Sequence, residues 1–176
     1  MVALAEEQSA STSGLDRAGV LVRQITAALT AAGHSVAAAE SLTGGRLCAQ
    51  LAEAPGASAA FRGGLVAYAT DLKEELLGVE GDLLARVGAV DPQVAARMAE
   101  GVRRLAHATY GVATTGVAGP APQDGCDVGT VFVAVAGPRT TTAVRATPGS
   151  TARDGIQHAA LLAALQLLRD ELRPPG

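Results

Sequence analysis

Helix-type and strand-type apolar segments alternate along this chain, separated by glycine, proline or charged residues. Between residues 15 and 32 the apolar positions recur at helical spacing, and the pattern ends at Gly33, a residue typical of helix C-termini. Shorter strand-type runs follow at 35–39, 64–70 and 110–115. Alternation of this kind predicts a layered α/β domain.

The last third of the chain indicates how the sheet is completed. The β-rich runs 128–136 and 140–147 flank Gly137-Pro138, which predicts a hairpin. Because hairpin strands are antiparallel, the predicted sheet is mixed. At 176 residues we expect a single domain over residues 15–173 and a disordered tail over residues 1–14. Further helices are predicted over 45–54, 71–77, 91–107 and 152–172.

The composition argues against several classes of function. The net charge is −3, with two Phe, two Tyr and no Trp, whereas nucleic-acid binding needs a basic surface and usually aromatic stacking. No apolar run approaches the ~20 residues of a membrane span, and the cysteines and histidines form no cluster with metal-ligand spacing. We therefore expect no direct nucleic-acid contact, no membrane association and no metal. The first residues lack the basic start of a secretory signal, so a cytoplasmic location is expected.

Lys73 is the only lysine among fourteen basic residues. Arginine bias can reflect genome composition alone, and an exposed lysine paired with Asp71, Glu74 or Glu75 is the simplest interpretation. The alternative is that this position needs an amine able to lose its proton near neutral pH, which a guanidinium cannot do. Lys73 is thus a candidate general base.

Ser41 lies where a short apolar run meets Gly44-Gly45 and the predicted second helix. A strand-to-helix turn exposes such a side chain above the sheet edge and points the following amides outward, with the positive end of the helix. This arrangement suits a nucleophilic hydroxyl beside amides that hold an oxyanion, and it equally suits a phosphate cradle. An ordinary structural turn is the third interpretation, and these residues alone do not separate the three.

Other candidate residues follow the neighbouring predicted strands. Because strand ends gather at one edge of a layered α/β sheet, Ser41, Tyr68 and Lys73 are expected to converge. A half-buried strand aromatic at Tyr68 and an ordinary turn at Thr115-Gly116 are the simpler alternatives to a role in the site. Arg153 lies near the start of the last predicted helix, where the helix dipole disfavours a cation, and this hints at an anionic partner.

Several motifs recur together in one order. The set resembles the C-terminal domain family of competence/damage-inducible protein A, whose stand-alone members include nicotinamide-nucleotide amidase. The resemblance covers about residues 15–172 and is more specific than any single motif. The motifs are A-E-S-L-T-G-G (39–45), F-R-G-G-L-V-A-Y (61–68), K-E-E-L-L-G-V (73–79), G-A-V (88–90), T-G-V-A-G-P (115–120) and V-G-T-V (128–131).

The resemblance implies a three-layer α/β/α sandwich around a mixed, mostly parallel sheet. It implies hydrolysis of the carboxamide of nicotinamide mononucleotide to nicotinic acid mononucleotide and ammonia, in pyridine nucleotide salvage, without a cofactor. By this likeness Ser41 is the nucleophile, Lys73 the base and Tyr68 a further activating partner. A homo-oligomer is also a family expectation. The implied substrate contacts, with Arg153 suited to the phosphate, are Thr43, Gly44, Gly45, Thr115, Gly116 and Arg153.

The chain also departs from the family pattern. Leu42 stands where cysteine is frequent, Tyr68-Ala69-Thr70 replaces the usual Tyr-Ser-Asn, and Gln157 stands where a second arginine is frequent. These replacements concern the phosphate contacts more than the chemistry. Two rival functions stay open: a non-catalytic nucleotide- or phosphate-binding module, and a protein-interaction role in competence or the DNA-damage response.

Overall fold

Five β-strands form one sheet in the order β2-β1-β3-β4-β5, in a computed structural model that describes the backbone of residues 2–173 and the side chains of residues 17–173. β1 pairs in parallel with β2 and β3, whereas β4 is antiparallel to β3 and β5. Four strands therefore run in one direction and β4 in the other. The predicted mixed, mostly parallel sheet and its hairpin are confirmed. The strands are β1 (Val36–Glu40), β2 (Phe61–Val66), β3 (Tyr110–Gly116), β4 (Val131–Ala136) and β5 (Thr141–Ala146).

Helices cover both faces of this sheet and complete the expected three-layer α/β/α arrangement. One face carries α1 (Val2–Ala32), α2 (Arg46–Ala52), α3 (Ala57–Ala60) and α7 (Arg153–Glu171). The other face carries α4 (Thr70–Glu75), α5 (Gly81–Val87) and α6 (Pro92–Leu105). Residues 2–14 of the predicted disordered tail lie within the backbone bounds of α1, and their side chains are outside the described residues, so the disorder itself stays a prediction.

Valine and alanine alternate along the central strands, and the size of these side chains determines how closely the helices on each face approach the sheet. Val133 packs toward α1 and α7, whereas Ala134 and Ala136 face α6. On the α6 side, a Cβ added to Gly111 would lie 2.0 Å from the carbonyl oxygen of Ala99. Helix α6 therefore packs directly against the backbone of β3, which glycine and alanine permit.

The second strand differs from its prediction, because β2 covers Phe61–Val66 rather than 64–70. The observed strand starts three residues earlier and includes Gly63 as well as Gly64, which the prediction already placed in the strand. A Cβ on Gly64 would lie 2.2 Å from the Cys48 Sγ and 2.8 Å from the Ala38 carbonyl oxygen. Glycine is needed here so that α2 and β1 can approach β2.

The sequence predicts the start of α6 but misses two short helices. The Asp91 side chain accepts a hydrogen bond from the Gln93 amide at 2.7 Å, and Pro92 begins α6, as predicted. The short helices α3 and α5 have no counterpart among the predicted elements, since four and seven residues are too few to show a helical period. Within the described part of the chain, no helix has the length and apolarity needed to span a bilayer.

Candidate active site

The candidate site lies at the edge of the sheet where β1, β2 and β3 end. Ser41 directly follows β1, Tyr68 follows β2, and Gly116 is the last residue of β3. These strands are parallel, so their carboxyl ends meet at one edge. Lys73 reaches this edge from α4, the helix that follows β2. The structure thus brings Ser41, Tyr68 and Lys73 to the same edge, as the sequence predicts.

Ser41 and Lys73 are in direct contact. The Lys73 Nζ donates one hydrogen bond to the Ser41 Oγ at 3.2 Å and another to the Ala67 carbonyl oxygen at 2.8 Å. Lys73 is only 1% exposed. The interpretation of Lys73 as an exposed helix residue paired with nearby acids is therefore wrong.

Burial changes the protonation of this lysine. Removal from water disfavours the charged amine and lowers the pKa of Lys73 from 10.5 to about 8, while the charges of Asp124 and Asp71 oppose the shift. A fraction of the amine is then neutral near pH 7. A neutral amine in contact with the Ser41 hydroxyl can accept its proton.

Two contacts with β3 hold the turn that carries Ser41. The Ser41 amide donates to the Thr114 carbonyl oxygen at 3.0 Å, and the hydroxyl oxygens of Thr43 and Thr114 are 2.7 Å apart. Both threonines are buried. The Thr43 hydroxyl, expected to contact substrate, is therefore already paired with the neighbouring strand.

A buried carboxylate occupies the N-terminus of α2. The Glu40 side chain has no exposed surface, and its oxygens accept hydrogen bonds from the amides of Gly45 at 2.9 Å, Leu47 at 3.1 Å and Cys48 at 2.7 Å. The Gly44 amide has its own acceptor within the turn. The Gly44 and Gly45 amides, expected to hold substrate, are thus satisfied within the protein, and the positive end of this short helix already faces a negative charge.

Replacing Glu40 with alanine should lower the free energy of unfolding by about 3–5 kcal/mol, because three amides lose their acceptor and a buried unsatisfied group costs about 1–3 kcal/mol. Urea denaturation measures this loss. Glu53→Ala is the matched control, since Glu53 directly follows α2 and its side chain bonds only that of Gln50; the loss of stability should stay within about 0.5 kcal/mol. Equal losses in both variants would contradict the capping role of Glu40.

The amides of Leu42 and Thr43 differ from those of α2. Neither has a hydrogen-bond acceptor among the described residues. They directly follow the candidate nucleophile, a position from which backbone amides stabilise an oxyanion. The Thr115 hydroxyl, by contrast, donates to the Ala89 carbonyl oxygen at 2.7 Å, so this predicted contact is also engaged within the protein.

A cavity of about 110 Å³ opens above Ser41. Its lining combines Ser41 and Leu42 with Tyr68, the loop 116–119, Ala121, Gln123 and Arg153. Gly116, one of the predicted substrate contacts, is part of this lining. The cavity therefore joins the candidate nucleophile to polar side chains from three other segments of the chain.

Arg153 and Tyr68 form the rim of the cavity. The Arg153 guanidinium donates to the Tyr68 hydroxyl at 2.8 Å and also to the Gly119 carbonyl oxygen. Tyr68 is 57% exposed, and its hydroxyl bonds Arg153 rather than Ser41 or Lys73. The structure thus shows no direct contact of the Tyr68 hydroxyl with Ser41 or Lys73, and the activating role of Tyr68 stays a prediction.

Larger grooves elsewhere lack comparable chemistry. One of about 540 Å³ lies beside α5 and α6, and Arg97 in its lining forms ion pairs with Glu80 at 3.2 Å and Glu100 at 2.8 Å. Within residues 17–173, no three His, Cys, Asp or Glu side chains come together as a metal site requires.

Three further residues support the site and are absent from the predicted set. Glu40 caps α2, Asp124 accepts a hydrogen bond from the Ala89 amide at 3.0 Å, and Gln157 donates to the Leu42 carbonyl oxygen at 2.7 Å. For Glu40 the available signal is an acidic residue ending an apolar strand. For Asp124 and Gln157 the partners lie 35 and 115 residues away, so no local pattern identifies the contacts.

Comparison with known proteins places these features in a family. A model of the CinA C-terminal domain matches residues 19–172. A CinA-like protein of Frankia casuarinae is 53% identical over 137 residues, which cover 77% of this chain and 31% of that protein. A CinA-like protein of Gloeobacter violaceus is 42% identical over 178 residues, covering 98% of this chain and 42% of that protein. The chain thus spans about a third to two fifths of the length of these relatives.

Two solved structures superpose on this chain over nearly their whole length. The competence/damage inducible protein CihA from Agrobacterium tumefaciens superposes with a TM-score of 0.84 at 34% identity, over 89% of this chain and 95% of that one. A competence-damaged protein (CinA) superfamily protein from Enterobacter cloacae gives 0.85 at 31% identity, over 89% and 92%. Both the fold and the sequence match extend across the strands and helices that position Ser41 and Lys73.

Proposed function

The chain belongs to the CinA C-terminal domain family, and on that premise we propose that it is a serine amidohydrolase that converts nicotinamide mononucleotide to nicotinic acid mononucleotide and ammonia. The supporting observation is the 3.2 Å contact between the Ser41 Oγ and the buried Lys73 Nζ. A hydroxyl beside an amine with a pKa of about 8 is an activated nucleophile.

The first half of the proposed reaction forms an acyl-enzyme. The neutral Lys73 amine takes the hydroxyl proton of Ser41, and the Oγ attacks the carboxamide carbon. The oxyanion that forms is held by the amides of Leu42 and Thr43, which have no acceptor among the described residues. The Lys73 ammonium then gives its proton to the amide nitrogen, the carbon–nitrogen bond breaks, and ammonia leaves an ester on Ser41.

The second half releases the acid. Lys73, neutral again, takes a proton from a water molecule that attacks the ester carbonyl. The ester bond breaks, the Ser41 oxygen recovers the proton from Lys73, and nicotinic acid mononucleotide leaves. The same amine therefore serves both halves, in agreement with its place beside the Ser41 Oγ.

The size of the cavity bears on how such a substrate would bind. At about 110 Å³ it is well below the roughly 300 Å³ at which small-molecule pockets begin, so it encloses only part of a nucleotide. We place the pyridine ring and its carboxamide inside, against Ser41, and the ribose and phosphate at the rim. There the Arg153 guanidinium, a group suited to phosphate, is exposed.

The rival function, a non-catalytic phosphate-binding module, relies on the amides that follow Ser41. Those at the start of α2 are already bound by Glu40, which weakens this rival. Binding of nicotinamide mononucleotide by the wild-type chain without ammonia release would favour it over hydrolysis. The homo-oligomer and the cytoplasmic location expected from the sequence are part of this proposal as well.

The rate of hydrolysis should rise with pH through neutrality. Because the base is the neutral amine and the pKa of Lys73 is about 8, kcat/KM should rise about tenfold per pH unit below that value and level off above it. Lys73 is the only lysine, so a single ¹³Cε-lysine resonance reports its titration directly. A resonance titrating near 10.5, or a rate that falls as the pH rises through 8, would contradict the assignment.

A further inference from the structure

Two side chains from the first turns of α7 contact three loops of the site, those that follow β1, β2 and β3. Arg153 bonds the Tyr68 hydroxyl and the Gly119 carbonyl oxygen at the rim. Gln157 lies one turn further along, is 8% exposed, and donates from Nε2 to the Leu42 carbonyl oxygen at 2.7 Å. Residues four apart share one face of a helix. This face of α7 therefore connects the loop after β3 with the turn that carries Ser41.

The three carbonyl groups of this turn are held in different ways. The Ser41 oxygen accepts from the Gly44 amide at 3.1 Å, and the Thr43 oxygen accepts from the Arg46 amide at 3.2 Å. Both of these partners are backbone groups of the same short segment. The Leu42 oxygen is held by the side chain of Gln157, so it is the carbonyl that a single substitution can release.

The orientation of the Leu42 carbonyl also sets that of the next amide. In a trans peptide the C=O and N–H bonds lie in one rigid plane and point in opposite directions. Because Gln157 holds the Leu42 oxygen toward α7, the Thr43 N–H points away from that helix. Without the donor, the buried oxygen would turn toward another polar partner and carry the Thr43 N–H with it.

We propose that Gln157 is a positioning residue for catalysis: it orients the peptide between Leu42 and Thr43 so that the Thr43 N–H is aimed at the oxyanion formed when Ser41 attacks. This inference rests on the proposed function. Arginine is frequent at this position in the family pattern, and the glutamine of this chain also supplies an N–H donor for the Leu42 oxygen.

Gln157→Met tests the proposal, because methionine keeps the length and burial of the side chain but has no donor. We expect kcat to fall about 10²-fold, the size of effect that a misplaced reacting group produces, while KM changes less than about threefold. Gln157→Arg, which restores an N–H donor, should recover most of the lost rate. Gln166→Met is the matched control: it lies on the same helix, bonds only the exposed Asp170, and should keep the wild-type rate.

A second measurement needs no substrate. The ¹⁵N–¹H resonance of Thr43 should shift in Gln157→Met, stay in place in Gln166→Met, and return toward its wild-type position in Gln157→Arg. If the methionine variant does not fold, Gln157→Glu, which has nearly the same shape and lacks the donor at neutral pH, takes its place. Wild-type kcat together with an unchanged Thr43 resonance in the donor-free variant would overturn the role of Gln157. A wild-type chain that releases no ammonia would instead contradict the proposed function, and the resonance would still decide the orientation of the peptide.

Discussion

Replacing Ser41 with alanine should lower kcat for carboxamide hydrolysis by about 10⁴-fold or more, because the reaction loses its nucleophile. The fold should be retained, since the contacts that hold this turn are made by the Ser41 backbone and by Thr43 and Thr114. Steady-state ammonia release gives the rate. Intact-protein mass spectrometry of the wild type, quenched during turnover, should show an acyl group that the alanine variant lacks.

Ser35→Ala is the control for this substitution. Ser35 and Ser41 flank the two ends of β1, and the Ser35 Oγ accepts a hydrogen bond from the Thr109 amide at 3.2 Å, far along the strand from the cavity. We expect Ser35→Ala to lose some stability and keep kcat. Substantial turnover by Ser41→Ala, with the fold intact, would remove Ser41 from the reaction.

Replacing Lys73 with methionine or arginine should lower kcat by about 10³-fold or more, near the upper range for removal of a general base. Methionine fills the buried position but has no amine. Arginine restores the positive charge, yet its guanidinium keeps its proton throughout the working pH range. The two variants therefore separate proton transfer from charge alone.

The pH profile and the fold of these variants complete this test. Whatever activity remains in Lys73→Met should lose the rise in rate that the wild type shows up to about pH 8. Circular dichroism establishes that each variant is folded before its rate is compared. A folded Lys73→Arg with the wild-type rate would rule out proton acceptance by this side chain.

The sequence identifies both members of the central pair as candidates but leaves other interpretations of each residue open. Ser41 stands at a predicted strand-to-helix turn, which is a local signal, whereas Lys73 stands out as the only lysine of the chain, which is a signal of composition. Their 3.2 Å contact follows from the topology, since β1 and β2 are parallel neighbours whose ends share an edge. The burial that lowers the pKa of Lys73 does not follow from any local pattern, because it depends on how α4 packs.

The substrate contacts are less predictable than this pair. A glycine-rich turn at the start of a helix has the same sequence whether its amides face a ligand or a carboxylate of the protein. Here Glu40 takes the amides of Gly45, Leu47 and Cys48, and β3 takes the Thr43 hydroxyl. Only the tertiary structure distinguishes the two cases.

The fold shows the same division between local and tertiary signals. The start of α6 is predictable because Asp91 and Pro92 act within one turn. The bounds of β2 are not: the predicted strand begins at Gly64, whereas β2 begins at Phe61 and includes Gly63. Pairing with β1 and the approach of Cys48 and Ala38 to Gly64 define this strand, and both come from other elements.

Ammonia release from nicotinamide mononucleotide by the wild-type chain, with Ser41→Ala assayed alongside at pH 8, tests the proposed hydrolysis most directly. We expect the wild type to produce ammonia and nicotinic acid mononucleotide in equal amounts and the alanine variant to produce neither. Binding of the nucleotide by a folded wild-type chain without release of ammonia would contradict it.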